Sequence, residues 1–136
     1  MFPSEKDAVI LLYLLCNGPC SSYQMAKDFL SAGVVTLPER SGMKGVVRVL
    51  DSRLQRLQRD GFVVKEGNMY STTPRVYVDS VRVVGDVLDE DLGVMLVLDV
   101  NGHYVLYDLE GLARVLPEGA WEQLFVGFSI KTTSSV

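Results

Sequence analysis

With 136 residues, 48% of them apolar, and a formal charge of −4, the chain can bury one substantial core, which excludes a mainly disordered tail. Its apolar runs fall short of the roughly 18 residues that a membrane span needs, and residues 1–7 lack a basic segment followed by an apolar signal core. A soluble cytoplasmic protein without membrane contact is expected.

The net charge hides a polarity along the chain. Residues 1–78 carry ten basic and seven acidic side chains, a balance of +3, whereas 79–136 carry three basic and ten acidic ones, a balance of −7. The first half is therefore the place to look for phosphate contacts, and the acidic half suits a protein partner. Cys16 and Cys20 stand far from the single histidine, His103, which leaves too few ligands for a metal site. Two buried free thiols in a reducing interior are expected, and Cys20, beside a helix start, is the one whose reactivity needs testing.

In chain order, Ser4 with Asp7 three residues on predicts the cap of a first helix carrying Ala8, Ile10, Leu11, Leu12, Leu14 and Leu15. Such an apolar helix must be largely buried, and Asn17-Gly18-Pro19 ends it. Ser21 or Ser22 caps a second helix, in which Tyr23, Met25, Ala26, Phe29 and Leu30 mark one face against the first. A connector with Gly33 and Pro38 spans 31–40, and Ser41 caps a long third helix over 43–60. Projected at about 100° per residue, Met43, Val46, Val47, Leu50, Leu54 and Leu57 fall on one side of it. Lys44, Gly45, Arg48, Ser52, Gln55, Arg56 and Arg59 fall on the other. Arg53 projects toward the packed side, where its stem covers the core edge. Asp60-Gly61 stops the helix, and a strand at 62–66 is expected to pair, across 67–74, with 75–78 as a β-hairpin.

Beyond that point 80–92 reads either as a short helix using Val81, Val84 and Leu88 or as a continued strand through Val81 and Val83. Segments 94–100 and 103–109 flank Asn101-Gly102, a strong hairpin signal, and their nearly continuous apolar character predicts that both faces are covered. Asp108 caps a short helix with Leu109, Leu112, Ala113 and Leu116, and Pro117 opens a turn carrying Trp121, Leu124 and Phe125. A last strand over 126–131 and a frayed tail over 132–136 complete the chain. The fold class is α+β. Residues 1–80 form three helices plus a hairpin, and 81–136 form a small α/β unit with a β-hairpin of its own.

The stretch Ile-Leu-Leu-Tyr-Leu-Leu-Cys-Asn-Gly-Pro at 10–19, Ser-Tyr-Gln-Met-Ala at 22–26, Leu-Gln-Arg-Leu-Gln-Arg-Asp-Gly-Phe-Val-Val at 54–64 and Arg-Val-Tyr-Val at 75–78 resemble the PadR and MarR type of winged helix-turn-helix transcription regulator. The resemblance covers somewhat more than half of the chain. It departs from the PadR pattern at Asp51, where a tyrosine is usual, in the length of the 31–40 connector, and in the β-rich second half. It implies a sequence-specific regulator that binds double-stranded DNA as a homodimer. In such a domain the third helix enters the major groove and the 62–78 hairpin, the wing, meets the backbone.

On that reading Lys44, Arg48 and Ser52 lie nearest the bases, Gly45 permits close approach, and Gln55, Arg56 and Arg59 continue the same face. Ser22, Arg40 and Ser41 at the helix starts, and Lys65, Asn68 and Arg75 on the hairpin, are candidate phosphate contacts. The alternative is a winged helix that docks a protein partner without binding DNA. A third possibility is a small-molecule sensor with a pocket lined by Tyr104, Trp121 and Phe125. No nucleophile elbow, phosphate-cradling loop or dinucleotide fingerprint points to an enzyme, and no cofactor is expected. Asp86, Asp89, Glu90 and Asp91 lack calcium-loop spacing and read as a solvated linker. His103, next to the Asn-Gly turn, reads as a surface or hairpin residue rather than a switch.

Overall fold

The structure, a computed structural model, describes residues 3–35 and 42–125. It begins with helix α1 (Glu5–Asn17), closed at its start by a capping box. The Ser4 hydroxyl accepts from the Asp7 amide and the Asp7 carboxylate accepts from the Ser4 amide. Residues 7–14 of this helix are all buried. A helix apolar on every side needs walls all round, and α1 packs against elements from the middle and from the later part of the chain.

Strand β1 (Cys20–Ser21) follows, then α2 (Ser22–Ser31), whose cap is Ser21: its hydroxyl accepts from the Gln24 amide. The chain next described is α3 (Gly42–Arg59), which buries Val46, Leu50, Leu54 and Leu57. Arg53 leaves the exposed face as its projection predicts, and its guanidinium lies 3.1 Å from the Asp7 carboxylate. Gly61, at φ +88°, then takes the left-handed turn that leads into β2 (Val63–Glu66).

Here the expected hairpin is corrected. β2 pairs with β3 (Met69–Thr72) across the two-residue turn Gly67-Asn68, with Glu66 opposite Met69. Gly67 has φ +59° and Asn68 does not share the positive sign, as a turn with glycine in its first central position requires. Residues 75–78 are therefore not the second strand of this hairpin. Thr73 turns the chain away by donating to the Gly61 carbonyl at 2.7 Å, and Pro74 has no amide for a ladder. β3 is instead the middle of a small antiparallel sheet ordered β1–β3–β2.

The chain then enters a second antiparallel sheet, ordered β4 (Val76–Val84), β5 (Asp89–Val100), β6 (His103–Asp108). The ambiguous 80–92 segment is strand and hairpin tip, paired as Val84 with Asp89 and bulged opposite Val81–Arg82. Asn101 and Gly102 both adopt positive φ and join β5 to β6 as expected. β4 runs through the 80/81 position at which a second unit was expected to begin. Helices α4 (Leu109–Arg114), capped by Asp108, and α5 (Ala120–Leu124) close the described chain. The expected last strand at 126–131 and the tail at 132–136 lie outside the described residues.

The fold is thus α+β, with five helices and two three-stranded antiparallel sheets among the described residues. One hydrophobic core runs from α1, α2 and α3 through Tyr70 and Val76 to Leu96, Leu98, Leu109, Leu112 and Phe125. One face of the second sheet, with Val76, Val78, Leu96, Leu98, Val105 and Tyr107, joins that core. Its other face is only partly covered, contrary to expectation. Met95 and Val97 on the central strand are buried, while Tyr104 and Leu106 on the edge strand remain exposed. No helix among the described residues is long and apolar enough to cross a membrane.

Candidate functional site

The exposed side of α3 is flanked by a groove of about 730 Å³, lined by Tyr23 of α2 and by Met43, Lys44, Val47, Arg48, Asp51, Ser52 and Gln55 of α3. A smaller hollow of about 270 Å³ adjoins it, formed by the start of α2 (Ser21, Ser22, Tyr23), by Asp51, and by Lys65, Asn68 and Tyr70 of the hairpin. Tyr23 and Asp51 line both, so groove and hollow share one wall.

Helical periodicity explains why these side chains meet. Positions 44, 48, 51, 52 and 55 recur at three- and four-residue spacing along one flank of α3, opposite the buried Val46, Leu50, Leu54 and Leu57. The two-residue turn holds Asn68 at the hairpin tip, and the ladder fixes Lys65 beside Tyr70. The Lys65 ammonium stands 5.3 Å from the Tyr70 ring centre. The start of α2 is held from behind: Tyr13 on α1 donates to the Asp28 carboxylate, Gln24 donates to the same group, and the Cys20 thiol contacts the Tyr13 hydroxyl and donates to the Ser21 carbonyl. Burial pushes the Cys20 thiol up, against the opposing pull of the Tyr13 hydrogen bond, so it rests protonated at neutral pH. Cys20, named as the thiol to test for reactivity, is a buried free thiol in this environment.

The structure brings Lys44, Arg48, Ser52 and Gln55 together in the groove, and Ser22, Lys65 and Asn68 in the hollow. Gly45, Arg56 and Arg59 lie on α3 but line neither. Arg40 and Ser41 lie outside the described residues. Arg75, expected on the hairpin, is placed elsewhere: its guanidinium donates to the Asp60 carbonyl and to the Asn101 side chain and stacks over Phe62. It ties the root of the hairpin to the β5–β6 turn. That placement follows from the shorter hairpin, since Arg75 falls after β3 rather than within it.

Sequence reasoning missed Tyr23 and Asp51. Tyr23 was assigned to the face of α2 against α1, but it is 56% exposed, with the Lys27 ammonium 6.0 Å from its ring centre. Tyr23 falls in the first turn of α2 whether Ser21 or Ser22 is the cap, and that place beside the start of the helix is the signal the sequence carries. Asp51 projects between the packed and exposed sets of α3 and was placed in neither.

Asp86, Asp89, Glu90 and Asp91 cluster at the β4–β5 hairpin tip rather than in a linker. Arg82 holds the Asp89 carboxylate through two bonds of 2.6 Å and keeps its pKa below the usual carboxylate range. Among the described residues no group of three or more His, Cys, Asp or Glu side chains could hold a metal ion. Tyr104 stands on the sheet face opposite the core, whereas Trp121 and Phe125 pack together on the core side at 4.5 Å, so these three do not share a pocket.

No family model, curated protein or solved structure matches the chain. What remains is the site itself: hydrogen-bond donors on one helix flank, Lys65 and Asn68 of the hairpin beside it, and one carboxylate between them.

Proposed function

We propose that the chain is a winged helix-turn-helix protein that binds double-stranded DNA sequence-specifically and regulates transcription. The observation that carries this reading is the juxtaposition of Lys44, Arg48, Ser52 and Gln55 on α3 with Lys65 and Asn68 on the adjoining hairpin. The element order α1–β1–α2–α3–β2–β3, with a sheet ordered β1–β3–β2, supports the winged-helix part of it.

The dimensions agree with the chemistry. At about 1.5 Å per residue α3 is roughly 27 Å long, and an α-helix fits a major groove about 12 Å wide. Lys44, Arg48 and Ser52 then lie nearest the base edges, Gln55 continues the same face, and Lys65 and Asn68 reach the phosphates. Arg56 and Arg59, exposed at the far end of α3, add charge that steers the approach of DNA. The acidic second half turns away from the duplex and supplies pairing contacts in a homodimer, which reads half-sites about one helical turn apart.

Selection from random duplexes at a stated salt concentration tests the proposal. The wild type is expected to enrich a motif. Arg48→Ala weakens binding to that motif by about 1 to 3 kcal/mol, while Lys65→Ala weakens binding to every duplex and lowers the salt slope by about one. Absence of any duplex binding at low salt overturns it. A second reading, a docking module for a protein partner, is favoured by one observation only: Tyr23, Met43 and Val47 make part of the groove wall apolar. Recovery of a protein without nuclease-sensitive nucleic acid would support it.

A further inference from the structure

Resting on the DNA-binding reading, we infer that Asp51 is a specificity-determining residue that accepts a hydrogen bond from the N4 amino group of a cytosine, with Tyr70 as its positioning residue.

Asp51 lines both the groove and the hollow, in the midst of Lys44, Arg48 and Lys65. No Lys or Arg forms an ion pair with it among the described residues. A carboxylate in that position opposes phosphate binding, so a face built only to hold a polyanion gains nothing from it. It does gain if the carboxylate accepts a hydrogen bond on docking.

Tyr70 prepares it to do so. Tyr70 is 1% exposed and fixed in the middle strand, opposite both Cys20 and Lys65. Its hydroxyl donates to Asp51 Oδ1 at 3.3 Å, and the structure shows no hydrogen bond to Oδ2 among the described residues. The wing thereby anchors one oxygen of a residue on the reading helix and leaves the other for a ligand.

The chemistry selects the base. A carboxylate only accepts, and the major groove offers amino donors on cytosine and adenine alone. Adenine sets its N7 acceptor beside the amino group, where it repels the second carboxylate oxygen, and cytosine has no acceptor there. Arg48 lies three residues earlier, about 4.5 Å along the axis, close to a base-pair step of about 3.4 Å. Arginine suits guanine O6 and N7, so the pair reads G·C-containing sequence on this flank of α3.

The test repeats the random-duplex selection at one salt concentration with the wild type, Asp51→Asn and Tyr70→Phe, each first checked for an unchanged thermal transition. Asp51→Asn keeps shape and an acceptor for Tyr70 but adds a donor, which suits adenine N6 and N7. The wild-type motif is expected to contain one strongly preferred cytosine. Asp51→Asn should shift that position alone toward adenine and bind the wild-type motif about tenfold more weakly. Tyr70→Phe should keep the cytosine with a several-fold smaller preference and leave other positions alone, a readout that general loosening of the wing would not give. If the wild type yields a motif that Asp51→Asn leaves unchanged, or if Asp51→Asn strengthens binding to all sequences equally, the inference fails and the DNA-binding reading survives. If no variant binds any duplex, both fail.

Discussion

Asp7 shows how much one side chain can organise. Its carboxylate completes the capping box of α1 and meets the Arg53 guanidinium, so the start of the first helix is tied to the middle of the third. The cap was legible, because Ser4 and Asp7 sit at the right spacing, and so was the inward lean of Arg53. Their partnership was not, since 46 residues separate them and no local pattern records it. Cys16 gives a second residue-scale consequence. Burial pushes its thiol from an ordinary 9.0 up to about 11, so the fold retains a proton that the unfolded chain releases. Above pH 9 the unfolded state binds fewer protons, and stability falls as the pH rises toward about 11. Burial raises the Cys20 thiol as well, which adds to the loss above pH 9, and the Tyr13 and Tyr107 hydroxyls, which add to it above pH 10. Urea midpoints measured from pH 7 to 10.5 should decline only beyond pH 9, and Cys16→Ala should flatten the first part of that decline.

At the scale of elements, legibility followed the strength of the periodic signal. α3 was read within a residue at each end because its apolar and charged sets separate cleanly around the helix. The hairpin was misread because Met69-Tyr-Ser-Thr72 looks like loop, with only Tyr70 buried deeply to mark it as strand. β1, two residues long, carries no pattern at all; it exists because Tyr70 needs a neighbour on its free side. The junction between α3 and the β2–β3 hairpin was well marked by Gly61, and the structure shows why glycine suits it. A Cβ there would lie 2.5 Å from Arg75 Nη1, in a backbone conformation at φ +88° that side chains disfavour. Gly61→Ala should cost about 1 to 3 kcal/mol, from strain and from the displaced Arg75 contacts, as read from denaturant unfolding with an unchanged m value.

For the whole molecule, the stretches on either side of residue 80 share one interior. Side chains from 8 to 125 belong to one core, and α1 presents its faces to the first sheet, to β4 and to α4. Asn17 adds a bond of 2.8 Å from the end of α1 to the Leu124 carbonyl. Sequence could announce that α1 is enclosed, from its continuous apolar run, but not by what, because the second wall lies some 90 residues downstream. A fragment ending at residue 80 should therefore fail to fold, showing neither a cooperative melt nor dispersed amide resonances, while the full chain unfolds in a single transition.

The same enclosure sets a timetable during synthesis. α1 precedes every other described helix, yet part of its covering comes from α4 (Leu109–Arg114), which follows it some 90 residues later. At about 5 to 20 residues per second, roughly 100 further residues take about 5 to 20 seconds to be made. For that interval the nascent chain carries an apolar helix whose α4-facing side is not yet covered, even once the first sheet and β4 are in place.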